Sequence, residues 1–234
     1  DDLTMVQQKD NNILDKKLHV FPTIENFRME GSSNEKTVNA GMNPPNGTII
    51  NYWLKDAADS SNVSITVFDK NNKGLKTFSK DAKDEGDKLK FEKGMNRFVW
   101  DMQYAPTEKA DGFVMWNGSQ LFGPKAAPGN YTARIRYDKD SADIPFTIKG
   151  DPNYKISNAE YEAQVNFMQQ IKEKFSEVQN GIKDIRSIRN QLSDFTAKMD
   201  TTGNKDLQTL ADSISKQITA IEETLYQTKA KGGQ

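Results

Sequence analysis

The sequence predicts two structural classes in tandem: a sandwich of short β-strands, then a long antiparallel pair of helices. Two observations predict it. Upstream of about residue 151, short runs alternate apolar and polar residues and are broken by Asn, Gly, Pro and Asp. Downstream of Pro152 there is no further proline, and apolar residues recur at steps of three and four. A change of period from 2 to about 3.6 is a change from strand to helix.

Taken in order, His19–Met29 (HVFPTIENFRM) is an irregular strand in which Pro22 argues for an edge or a bulge. Thr48–Leu54 reads as a central strand. Asn62–Asp69 sets Val63, Ile65 and Val67 on one face and Phe68 on the other. The turn DKNNKG (69–74) then returns the chain through Leu75–Phe78 as a hairpin. Asn96–Met102 places Phe98 and Trp100 on one face, with Asn96, Arg97 and Asp101 on or beside the other, as partners for loops such as Asn43–Pro45. Gly112–Trp116 is a short strand. Asn130–Tyr137 puts Tyr131, Ala133, Ile135 and Tyr137 on one side, and Asp143–Lys149 aligns Ile144, Phe146 and Ile148. Seven to eight short strands at this spacing form the pattern of an immunoglobulin-like β-sandwich.

Ser157 and Glu160 make the S-x-x-E signature of a capped helix start. A near-heptad seam follows, from Tyr161 and Val165 through Phe175 and Ile182 to Phe195 and Met199. Gly181 costs ~1 kcal/mol against Ala inside a helix, but the phase continues across it, so one helix is expected. TTGN (201–204) is a turn, and Leu207, Leu210, Ile214, Ile218, Ile221 and Leu225 mark a second helix. The predicted domains are therefore the sandwich over 19–150 and the helical hairpin over 151–234.

Composition limits the function classes. The 32 basic and 33 acidic residues nearly cancel, at net −1, which gives no electrostatic footprint for nucleic acid. Mean hydropathy is −0.80, as elongated elements with much surface would give. The chain has no cysteine, hence no disulfide or thiolate nucleophile. No run approaches the about eighteen apolar residues of a membrane span. DDLTMVQQKDNN has neither the basic nor the apolar part of a signal peptide.

Catalytic sets are hard to assemble. His19 is the only histidine, so neither a His-paired metal site nor a second imidazole is available. The carboxylates lie in polar loops such as DAKDEGD (81–87) and on helix faces. DKNNKG starts like a calcium loop, but Lys73 and Lys80 stand at its fifth and twelfth positions, where ligands are needed. The sequence predicts no cofactor and no metal. Four Asn-x-Ser/Thr sequons, at Asn46, Asn62, Asn117 and Asn130, matter only in a eukaryotic secretory pathway. The aromatics offer one binding alternative: Trp53, Trp100 and Trp116 would stack on sugars if two or more were exposed on one face. Core packing is the competing role, since such rings bury large areas.

GMNPPNGTIINYWL (41–54), GMNRFVWDMQY (94–104), FVMWNGSQLFGPKAAPGNYTARI (113–135) and the following IKGDPNYKISNAEYEAQVNFMQQI together resemble the C-terminal region of a bacterial family. Its members are large exported proteins with BNR-repeat, sortilin-like β-propellers, described as glycosyl hydrolases. The sandwich is also similar to the immunoglobulin-like domain of flagellar hook-capping proteins. The resemblance covers most of residues 41–230. It implies that residues 1–18 are a linker leaving a propeller absent from this chain, and that any hydrolase activity sits on that propeller. It also implies export to the periplasm or cell surface.

Three readings follow. The favoured one is a non-catalytic accessory region, structural or protein-interacting, whose partner is its own N-terminal propeller, another protein, or a second copy through the helices. The second is a carbohydrate-binding module supporting a polysaccharide-acting enzyme. The third, a catalytic domain, has the least support.

Overall fold

The computed structural model describes residues 4–7, 11–29, 44–57, 60–114, 123–199 and 203–228. The chain is β-rich in its first part and ends in two helices. A short helix α1 (Thr4–Gln7) precedes eight strands: β1 (Leu18–Val20), β2 (Asn26–Arg28), β3 (Thr48–Leu54), β4 (Val63–Phe68), β5 (Gly74–Ser79), β6 (Gly94–Trp100), β7 (Gly129–Tyr137) and β8 (Asp140–Gly150). Helices α2 (Asn158–Ala197) and α3 (Lys205–Leu225) follow. No described helix is long and apolar enough to cross a membrane.

The strands form two sheets, one ordered β1-β3-β6 and the other β2-β8-β7-β4-β5. All neighbours are antiparallel except β2 and β8. Both sheets feed one apolar cluster: Ile50, Tyr52, Leu54 and Trp100 from the first meet Ile65, Val67, Ile135 and Phe146 from the second. Period-2 alternation explains β4 and β7, whose buried positions are Val63, Ile65 and Val67, and Tyr131, Ala133, Ile135 and Tyr137. In β3 both faces are covered, and every residue but Trp53 is buried. Burial pushes the Tyr52 phenol up to about 12.

Three sequence expectations are corrected. His19–Met29 is two strands, not one: β1 joins β3 in the first sheet and β2 joins β8 in the second, with Phe21–Glu25 irregular between them. Pro22 lies in that break, where its missing N–H costs no ladder bond. Gly112–Trp116 is not a strand as far as it is described. Asp111 and Gly112 form a turn, with Gly112 at φ +68°, and Phe113 and Val114 are irregular; residues 115–116 lie outside the described residues. Asn96 shares the face of Phe98 and Trp100 and is buried, because its amide is consumed locally. It accepts from the Glu92 N–H at 2.8 Å and donates to the carbonyls of Glu92 (2.7 Å) and Gly94 (3.0 Å).

The chain divides into two compact units. The first holds residues 1–105 and 123–167, the second residues 106–122 and 168–234. In the first unit α2 opens with a reciprocal cap. Glu160 accepts from the Ser157 N–H (2.8 Å) and hydroxyl (2.7 Å), and the Glu160 N–H donates to Ser157 Oγ at 3.3 Å. These bonds hold the Glu160 carboxyl below the usual range. Helix α2 then runs unbroken through Gly181.

Candidate functional site

GMNRFVWDMQY (94–104) is the stretch richest in chemical groups, and its side chains serve the fold. Trp100 has no exposed surface; its Nε1 donates to the Gln103 carbonyl at 2.9 Å, and its ring meets Tyr131 and Phe146 edge-on at 6.0 and 6.1 Å. Arg97 Nε donates to Asn51 Oδ1 at 3.3 Å across the β3–β6 pair. Asp101 accepts from the Gln103 N–H at 3.0 Å, which tightens the turn at Met102. The expected partner loop at Asn43–Pro45 begins outside the described residues. The described partners of Asn96, Arg97 and Asp101 are Asn51, Glu92, Gly94 and Gln103.

Of the three tryptophans weighed for sugar stacking, Trp100 offers no ring face to solvent. Trp53 is half-buried on β3, opposite His19 and Met95, and its Nε1 has no hydrogen-bond partner among the described residues. Trp116 lies outside the described residues. His19 stands edge-on to Phe21 at 4.8 Å, and burial together with the charge of Lys16 lowers its pKa.

Within the first unit, a cleft of about 260 Å³ lies between the β4–β5 turn, Tyr104, the start of β7 and the first turns of α2. Asp69, Lys70 and Asn71 form one wall, and Glu162 and Asn166 another. Its carboxylates are already engaged. Asp69 Oδ1 accepts from the N–H groups of Asn71 and Lys73, both at 2.9 Å, which is the turn chemistry expected of DKNNKG. Glu162 pairs with Lys70 at 3.0 Å, an exposed contact worth about 0–1 kcal/mol. Tyr131 closes the floor by donating its hydroxyl to the Ala127 carbonyl at 2.7 Å. Burial first, then the charge of Asp69, raises the Tyr104 pKa. The remaining polar lining consists of the amides of Asn71, Asn130 and Asn166 and two tyrosines, Tyr104 and Tyr131. Among the described residues, no group of three or more His, Asp or Glu side chains could hold a metal ion.

The second unit has a different character. Residues 106–114 lie along α2 and α3 through specific bonds. The Ala110 N–H donates to Gln179 Oε1 at 2.9 Å, and Gln179 is 1% exposed. Arg186 donates to the Asp111 carbonyl and the Tyr226 hydroxyl. Phe113 packs against Phe175 at 5.7 Å and Tyr226 at 5.3 Å. Glu222, 3% exposed, receives Arg186 and Arg189. Burial alone would raise the Glu222 carboxyl, but these two guanidiniums reverse that and hold it below the usual range.

No family model and no curated protein sequence matches the chain. In the second unit Ile188, Phe195, Leu207, Leu210 and Ile221 are each 46–57% exposed. Sequence periodicity identified Phe195, Leu207, Leu210 and Ile221 as seam residues, missed Ile188, and could not say which would stay uncovered. The bonds of residues 106–114 to the helices join positions some seventy apart, as the 69-residue separation of Ala110 and Gln179 shows. Contacts of that kind leave no local signature.

Proposed function

We propose that the chain is a non-catalytic accessory region that acts by protein–protein contact. Its β part is an immunoglobulin-like sandwich and its helices are an antiparallel hairpin. The row of half-exposed Ile, Leu and Phe side chains on α2 and α3 carries this reading. Water-facing apolar groups at helical spacing are what a partner surface covers. Two features support the finer fold: both sheets contribute to one core, and Arg186 reaches Tyr226 while Arg189 reaches Glu222, the order that antiparallel helices give. The motif series from GMNPPNG to GNYTARI supports a place in an exported β-propeller protein, as the accessory part of that assembly.

The carbohydrate-binding module is the second reading. It is favoured by the Trp53 ring, which is only partly buried, and by the cleft whose lining includes Tyr104, Asn71 and Asn166. A glycan array separates the two. The interaction reading predicts no glycan retained above background. A glycan held by the chain and lost with Trp53→Ala or Tyr104→Ala overturns it.

A further inference from the structure

Resting on that reading, we propose that the surface formed by α2 and α3 opposite residues 106–114 is the seat of a second copy of this chain. At 3.6 residues per turn, Gln179, Ile182 and Arg186 share an arc of ~60° on α2, while Gly181, Ile188 and Phe195 share one of ~40° centred ~150° away. On α3, Glu222 lies ~110° from Leu210 and Ile221, and Tyr226 follows at the extended C-cap. The first arcs are covered: Gln179, Arg186 and Tyr226 bond or pack against Ala110, Asp111 and Phe113. Because the helices run in opposite senses, equal displacements around each axis fall on the same side of the pair. The uncovered arcs therefore make one continuous face, with Ile188 and Ile221 at one end and Phe195, Leu207 and Leu210 towards the α2–α3 connection.

The composition of this face selects its occupant. Between Leu207 and Thr224 the α3 arc holds Leu210, Ser213, Ile214, Gln217 and Ile221, with no charged residue, and Asp206 stands at its N-terminal end. Between Gly181 and Met199 the α2 arc holds one charge, Asp184. A neutral apolar face has no charge pattern for a dissimilar partner to complement. An identical neutral face of the same length meets it with almost no like-charge repulsion. From Ile188 to Met199 the face is ~17 Å long and two helices, ~20 Å, across, and α2 alone extends it by ~10 Å to Gly181. With its corrugation, such a face is of the order of the ~800 Å² per partner in stable interfaces.

Gly181 adds an independent observation. It sits inside α2 on this face, and beyond the helix's own adjoining backbone a Cβ built there would meet no heavy atom of the described residues within 4 Å. Among the described residues nothing requires the glycine, although it weakens the helix. A helix of another copy crossing at Gly181 would use the missing side chain for close approach.

Sedimentation velocity of the 234-residue chain from about 1 to 200 μM tests the proposal. A dimer is expected, with Ile221→Lys or Phe195→Glu weakening it at least 100-fold while helicity by circular dichroism is retained. Gly181→Ala gives the sharper result. It should raise the melting temperature of the monomer yet weaken dimerisation about tenfold, an opposition that a purely structural glycine would not produce. A monomer throughout the range, or a dimer indifferent to both charged variants, overturns the second copy. That outcome leaves the interaction reading standing, since a glycan ligand is what removes it.

Discussion

Glu222 lies between Arg186 and Arg189, and each carboxylate oxygen is taken by one guanidinium. Arg186 Nε donates to Oε1 at 2.8 Å and Arg189 Nη2 to Oε2 at 2.5 Å. With the Glu222 side chain 4% exposed and the arginines about a third exposed, this triad ties α3 to α2. Through the Arg186 bond to Asp111 it also ties both to residues 106–114. Glu222→Ala would leave two guanidiniums facing each other, at a cost of about 3 kcal/mol. Urea unfolding measures it.

The same carboxyl sets an acid limit. Its pKa is lowered in the folded chain, so its contribution is complete above the ordinary carboxylate range and is lost as pH falls through the lowered folded value. Melting temperature plotted against pH should fall on the acid side below about pH 4.5. In Glu222→Gln that part of the fall should flatten, with a lower plateau at neutral pH. Parallel curves for the two proteins would show that Glu222 has no such role.

Gly47 precedes β3 at φ +145°, and a Cβ there would stand 2.3 Å from the Trp100 carbonyl oxygen. Both the backbone conformation and the contact exclude a side chain. Gly47→Ala should cost about 2–3 kcal/mol, read as a lower denaturant midpoint with unchanged slope. An Ala variant as stable as the parent would contradict the close approach of the loop to β6.

Trp100 joins the two sheets from the centre of the core. Trp100→Ala should cost about 4 kcal/mol, which many small domains do not survive. Trp100→Phe, which keeps most of the volume but loses the bond to Gln103, should cost less and remain folded. Near-ultraviolet circular dichroism and thermal melts check both.

The fold was largely legible where local chemistry decides it. Alternation located β4, β7 and β8, the Ser157–Glu160 pair marked the start of α2, and steps of three and four gave both helices. The failures occurred where distant groups decide. A single run around Pro22 supplies strands to both sheets, because residues 26–28 find a parallel partner in β8, more than 120 positions away. Asn96 has the polarity of an outward residue but faces inward, satisfied by the carbonyls of Glu92 and Gly94. Phe113 suggested a strand, yet it is held by Phe175 and Tyr226 on the helices. The apolar stripes of α2 and α3 were visible in sequence. Which side stayed open depended on residues 106–114, whose bonds to Gln179 and Arg186 no periodicity encodes.

The central claim is that the open side of α2 and α3 is where two copies of this protein meet. Carbene footprinting at increasing protein concentration tests it directly. Labelling at Ile188, Phe195, Leu210 and Ile221 is predicted to be high at the lowest concentration and to fall as association proceeds. Tyr104 in the cleft should be labelled equally throughout. Labelling of those four side chains that stays high and constant up to the highest concentration would contradict the claim.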